Sequence, residues 1–187
     1  TAASFPCELN VPSGRVPVGI ISFVFTQPTH RRKGIVTEII RRQLELIRDR
    51  GESCAVLTES ESSIYARFGF GIASEWDTWS IDRTRSQLRP PAHPETSTGA
   101  SIKFVDEKEA RKHFGGIYDR AARERPGMLS RNEAYWDQRF WPSDMKRSFY
   151  VLCSGGGPEG GEDTGHAIYG LTGNDAGTIR VIEELCL

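Results

Sequence analysis

The sequence predicts an α/β fold built on a mixed sheet and divided into two small domains. Three observations lead there. A strand, a long amphipathic segment and a further strand follow one another between residues 15 and 58, which is a βαβ order. A stretch rich in Pro, Ser and Thr, "LRPPAHPETSTGA" (88–100), then interrupts all hydrophobic periodicity. Beyond it the chain starts again with a strand, helices and three strands.

Taken in order, "TAASFPCELNVPSG" and "RVPVGIISFVFT" read as two strands around a Pro/Gly-punctuated turn. The second is expected to run through Thr26, where Gln27 and Pro28 end it because proline has no N–H for a ladder. Over 35–50 the apolar residues Ile35, Val36, Ile39, Ile40, Leu44, Leu46 and Ile47 recur mostly at three- and four-residue steps, and charged residues fill the other face. That pattern predicts a helix docked on a sheet and closed by Gly51. "SCAVLTES" reads as a buried strand, "SSIYARFG" as a short helix, and "FGIASEWDTWSID" as a strand on which Trp76 and Trp79 pack. After the linker come a strand at 101–105, helices near 107–124 and 132–140, and strands at 148–153, 165–171 and 178–187. The Gly-rich run between the last three is expected to be a loop. The implied domains are 1–87 and 101–187, joined by the linker 88–100.

Bulk composition excludes several classes. The 187 residues carry 24 basic and 25 acidic side chains, a formal charge of −1, which disfavours a dedicated nucleic-acid binder. Cys7, Cys54, Cys153 and Cys186 are widely spaced, and so are the four histidines, so no zinc spacing and no disulfide framework is visible. Such cysteine usage fits a reduced, cytoplasmic setting, with each cysteine filling core or strand volume. No stretch approaches the roughly 20 apolar residues of a membrane span. The start at Thr1, with no Met and no apolar leader, predicts no signal peptide and a longer gene product.

The chemistry concentrates in "PTHRRKG". A helix N-terminus offers unpaired amides and a partial positive charge, so Arg31, Arg32 and Lys33 are electrostatically misplaced there unless an anion is bound. Gly34 lets a phosphate approach the main chain. No G-x-x-x-x-G-K-[ST] and no G-x-G-x-x-G after a strand is present, which turns the reading away from ATP-type and dinucleotide cradles toward another pyrophosphate.

Strand, "RRKG" and helix together resemble the acetyl-CoA loop of the GNAT acetyltransferases, pattern [QR]-x-x-G-x-[GA], with Val36 where the last small residue is usual. "PTHRRKG" with "AVLTESESSIYARFGFG" is similar to the Eis (enhanced intracellular survival) branch, which carries an aliphatic residue there. The resemblance covers 1–85 strongly and the rest more weakly. It implies a GNAT-like fold, with the later half of one GNAT domain joined to the earlier half of a second, non-catalytic one.

The same resemblance implies site residues. Val24, Phe25 and Thr26 would pair with the pantetheine arm, and Arg32, Lys33, Gly34, Ile35, Val36 and Thr37 would form the pyrophosphate loop, flanked by Arg31. Ser60 and Glu61 would lie near the reactive end of acetyl-CoA, and Tyr65 would protonate the departing thiolate. Phe23 would flank the acceptor pocket or pack in the core. Direct acetyl transfer to a primary amine follows, with an aminoglycoside, polyamine or lysine as acceptor and no metal, nucleic acid or membrane partner. A homo-oligomer, usually a hexamer, is implied too, and a general base outside this chain. The rival readings are a CoA-binding regulatory or scaffold module without catalysis, or a nucleic-acid module using Arg31–Lys33.

Overall fold

The computed structural model describes residues 1–59, 61–75, 87, 100–140, 147–155, 161–174 and 177–186. Two compact units emerge, one of Thr1–Leu9 with Arg15–Pro91 and one of Asn10–Gly14 with Ala92–Leu187. Apart from Ala100, the expected linker lies outside the described residues.

In the first unit β1 (Ala3–Val11), β2 (Gly14–Ser22) and β3 (Cys54–Val56) form a sheet in the order β1-β2-β3. Pro6 is tolerated in β1 because that strand is an edge. Helix α1 (Ile35–Asp49) connects β2 to β3, which run parallel with Val18 opposite Cys54 and Ile20 opposite Val56. Its apolar face buries Ile40 and Ile47 with Ile21 of β2, and Val36, Leu44, Tyr65 and Phe68 pack around them. Gly51 closes the helix as expected, at φ 75°. Its N–H donates to Arg48 C=O at 2.9 Å and that of Glu52 to Ile47 C=O at 3.1 Å, the paired bonds of a Schellman cap. Glu52, nearly buried, then receives Arg50 Nε at 2.8 Å and Nη2 at 2.7 Å.

Four expectations are corrected. β2 stops at Ser22 rather than Thr26, because Phe23 adopts a left-handed backbone, φ 56°, that turns its polar groups out of the ladder. The short helix over "SSIYARFG" is two separate 3₁₀ turns, Ser62–Ile64 and Ala66–Phe68, with Tyr65 between them. Gly69, at φ 90°, ends the second. The expected strand after it is absent from 70–75, and Trp76 and Trp79 lie outside the described residues. The cysteines do occupy strands, but Cys54 is exposed and Cys7 and Cys153 are only half-buried, so core filling is not their role.

The second unit is an antiparallel sheet of β4 (Ser101–Val105), β5 (Arg147–Ser154), β6 (Asp163–Asn174) and β7 (Gly177–Cys186), in chain order, with α2 (Glu107–Arg123) and α3 (Glu133–Phe140). Asp106 caps α2 by accepting the Glu109 N–H at 2.8 Å. Ala110, Phe114, Ile117, Tyr118 and Ala122 make one helical face, packed on Leu152 of β5, Ile168 of β6 and Phe140 of α3. Phe114 stacks on the buried His166 ring at 4.2 Å between centroids. The other end of α2 is held by Asn10, whose side-chain amide donates to the carbonyls of Ala122 at 2.7 Å, Arg123 at 3.2 Å and Arg125 at 3.2 Å. Ala122 and Arg123 belong to the last turn, whose carbonyls lack the full set of intrahelical N–H donors, and Arg125 follows just beyond the helix.

The α1 docking admits no side chain at residue 19. A Cβ on Gly19 would lie 2.5 Å from Ile47 Cγ1 and 2.6 Å from Glu52 Oε2. Gly19→Ala is expected to lower the unfolding free energy by about 1–3 kcal/mol, read as a lower urea midpoint at unchanged m-value.

Candidate functional site

The β2–β3 ladder ends at Ile20 and Val56 although both chains continue, so the two segments part. Beyond the parting lies a cleft of about 610 Å³ inside the first unit. One side is the extension of β2: Val24, Phe25 and Thr26 line it. Phe25 exchanges both backbone bonds with Thr1, its N–H reaching Thr1 C=O at 2.9 Å and its C=O accepting from Thr1 N at 2.7 Å. In an extended chain the backbone groups one residue either side, on Val24 and Thr26, face the opposite edge. The expected trio thus divides, with only the Phe25 backbone bonded to Thr1.

Thr26 adds a second signal. Its Oγ1 is buried without a hydrogen-bond partner among the described residues, and the residue lines the cleft. A buried hydroxyl left without a partner costs about 1–3 kcal/mol, a cost that a polar ligand group relieves.

The basic loop forms the next side. Pro28–His30 make a 3₁₀ turn, Arg31 is extended, Arg32 is left-handed at φ 60°, and Gly34 is left-handed at φ 76° as the N-cap of α1. The first intrahelical bond runs from the Glu38 N–H to Gly34 C=O at 3.1 Å. The amides of Ile35, Val36 and Thr37 therefore have no helical acceptor, and all three residues line the cleft with Arg31, Arg32 and Gly34. Neither arginine has a carboxylate partner among the described residues, whereas Arg15, Arg42 and Arg50 of the same unit each do. Open amides, a helix dipole and unneutralised guanidiniums converge on one volume, which is an anion-binding arrangement.

Glu61 and Tyr65 complete the lining. Tyr65 packs its ring edge-to-face on Phe70 at 6.0 Å and against the α1–β2 core, while its hydroxyl has no hydrogen-bond partner among the described residues. Tyr65 is thereby not tied to a backbone carbonyl among the described residues, unlike Tyr118, whose hydroxyl donates to Leu129 C=O at 2.7 Å. Two expected residues stay out of the lining. Lys33 is exposed, and Phe23 is 64% exposed with its ring edge-to-face on Phe5 at 6.2 Å, so it is not core. Ser60 lies outside the described residues. The cleft also takes in His30, Ile64 and Arg67, which sequence reasoning passed over although His30 and Arg67 stand inside the two quoted motifs. His30 Nδ1 lies 2.9 Å from Thr29 Oγ1. Among the described residues no group of three or more His, Cys, Asp or Glu is placed to hold a metal, and no helix is long and apolar enough to cross a membrane.

Known proteins share this sequence and fold in part. Residues 1–73 match the acetyltransferase (GNAT) domain family. The chain is 37% identical over 137 residues to an uncharacterized N-acetyltransferase of Streptomyces avermitilis, covering 73% of this chain and 32% of that protein. It is 32% identical over 182 residues to the N-acetyltransferase Eis of Mycobacterium tuberculosis, 94% of this chain and 43% of the relative. The fold is similar to the crystal structure of Eis1 from Mycobacterium abscessus, with a TM-score of 0.72 and 32% identity over 98% of this chain and 46% of that one. The chain therefore spans between 32% and 46% of the length of these relatives. The GNAT-type fold and the likeness to Eis expected from "PTHRRKG" and "IYARFGFG" are borne out.

Gly34 is the residue on which the anion cradle turns. Gly34→Ala meets no steric neighbour but forces a Cβ into a left-handed backbone. It is expected to cost about 1–2 kcal/mol of stability and to weaken inorganic pyrophosphate binding, measured by denaturation and by calorimetric titration.

Proposed function

With a GNAT acetyltransferase domain over residues 1–73 and Eis N-acetyltransferases among its homologues, we propose that the protein transfers acetyl from acetyl-CoA directly to a primary amine. Acceptors in this reading are multi-amine compounds such as aminoglycosides or polyamines, or lysine side chains. The observation that carries it is the convergence, in one cleft, of the open amides of 35–37, the unpaired Arg31 and Arg32 and the unpartnered Tyr65 hydroxyl.

The cleft fits the parts of acetyl-CoA in sequence. The pyrophosphate is taken by the N-terminus of α1 with Arg31 and Arg32, Gly34 leaving room for close approach. The pantetheine amides add to the parted edge of β2 through Val24 and Thr26, a strand-addition mode. The thioester then lies toward Glu61 and Tyr65. The amine nitrogen forms a C–N bond at the thioester carbonyl, the tetrahedral oxyanion collapses, and the C–S bond breaks. The departing thiolate, whose conjugate acid has a pKa of about 8.5 by analogy with cysteine, takes the Tyr65 Oη proton. No cysteine lines the cleft among the described residues, which suits direct transfer over an acyl-enzyme. The ammonium proton leaves to a base that the Eis resemblance locates beyond this chain. Residues 1–87 supply the acetyl-CoA half of the site, and 101–187 form a non-catalytic GNAT-like domain for packing and assembly into a homo-oligomer.

A thiol-release assay with acetyl-CoA and a panel of multi-amine acceptors tests this. Acceptor-dependent release supports it; CoA binding without release identifies a binding module; no CoA binding overturns it. Two substitutions separate the roles. Tyr65→Phe is expected to lower kcat by about 10²–10⁴-fold with CoA affinity unchanged. Thr26→Val removes the orphaned hydroxyl and is expected to leave stability equal or higher while weakening CoA binding, read by thermal denaturation and titration on the same variant.

A further inference from the structure

We infer that Arg67 is a second, separately anchored phosphate contact in the cleft, reaching a phosphate of the bound acyl-CoA from the segment that carries Tyr65. The inference rests on the acyl-CoA reading above and goes beyond the helix-terminus loop.

Arg67 lines the same cleft as Arg31 and Arg32 but comes from a different part of the chain. Those two precede α1, whereas Arg67 sits in the 3₁₀ turn Ala66–Phe68 that follows Tyr65. That turn is fixed at both ends, by the Phe68 N–H to Tyr65 C=O bond at 2.9 Å and the Gly69 N–H to Ala66 C=O bond at 3.1 Å. Phe68 is itself packed against the Ile21, Ile40 and Ile47 cluster. The Arg67 guanidinium lies 4.9 Å from the Phe68 ring centroid, so a cation–π contact orients the group without neutralising it.

Charge balance points the same way. Among the described residues Arg67 has no ion-pair partner, and Glu61 is the one carboxylate lining the cleft. Arg31, Arg32 and Arg67 against a single carboxylate make a surplus of positive charge larger than a neutral or singly charged ligand would match. A guanidinium held by its face still offers its N–H edge, the geometry that suits phosphate oxygens. The pyrophosphate and the 3′-phosphate of CoA are two sources of that chemistry.

Titration of CoA, dephospho-CoA and pantetheine into the wild type, Arg67→Ala and Arg67→Gln decides the matter. Arg67→Gln keeps an unbranched polar side chain and removes the guanidinium with its charge, so it stays informative where the alanine variant folds poorly. Both variants are expected to lose about tenfold or more in CoA affinity, with pantetheine binding unchanged. Loss that persists with dephospho-CoA assigns the contact to the pyrophosphate, and loss confined to CoA assigns it to the 3′-phosphate; either supports the inference. Wild-type affinity for CoA in Arg67→Gln, or an equal loss for pantetheine, overturns it while leaving the acyl-CoA reading intact. Failure of the wild type to bind CoA overturns both.

Discussion

The first unit depends on the parting of two parallel strands. β2 and β3 share only the pairs from Val18–Cys54 to Ile20–Val56, and three residues past Ile20 the chain enters a left-handed backbone at Phe23. For a bulky residue that conformation is strained by about 1–3 kcal/mol. Neighbouring contacts hold it in place: Phe5 meets the Phe23 ring edge-to-face, and the Phe23 carbonyl accepts from Thr1 Oγ1 at 3.2 Å. That turn carries the chain out of β2 after Ser22, ahead of the cleft-lining residues Val24, Phe25 and Thr26.

Helix α1 supplies the complementary half. Its N-terminus would ordinarily favour acidic neighbours, yet the residues before it are Arg31, Arg32 and Lys33. The fold maintains that arrangement by docking α1 firmly elsewhere, through Ile40 and Ile47 on β2, through Gly19 against Ile47, and through the Schellman cap at Gly51. Packing at the body and C-terminus of the helix lets its N-terminus stay electrostatically unbalanced. The 3₁₀ turns carrying Tyr65 and Arg67 are fastened to the same core by Phe68 and Tyr65. The helix and the 3₁₀ turns facing the cleft are therefore fixed by apolar packing, and the Tyr65 hydroxyl and the Arg31, Arg32 and Arg67 guanidiniums have no hydrogen-bond or ion-pair partner among the described residues. The second unit shows the contrasting case, where α2 has both ends satisfied, by Asp106 at the start and Asn10 at the last carbonyls.

Much of this was legible in the sequence because it is carried by local chemistry. The helix 35–49, its closure at Gly51, the strand–loop–helix order around "RRKG" and the face of α2 follow from periodicity, capping residues and turn chemistry within a few residues. The same chemistry marked Arg31, Arg32 and Gly34 as site residues, the resemblance to the Eis branch marked Tyr65, and the cleft contains all four. Legibility failed where a residue's state depends on partners distant in sequence. Phe23 reads as one more strand residue in an apolar run, and only its setting beside Phe5 and Thr1 shows that the ladder stops before it. Phe25 looks equivalent to Val24 and Thr26 until its backbone is found bonded to Thr1.

The sequence by itself determined which groups carry charge and where a helix begins, since propensity, capping and dipole effects act over single turns. It determined an anion site in outline for that reason. Only the tertiary structure decided which groups remain available to a ligand. The amides of 35–37 have no helical acceptor, the Thr26 hydroxyl is buried without a hydrogen-bond partner, and the Arg67 guanidinium has no ion-pair partner, all among the described residues. Availability is a property of what packs around a group, and packing brings together residues as far apart as Phe5 and Phe23, or Gly19 and Ile47, that no local pattern connects.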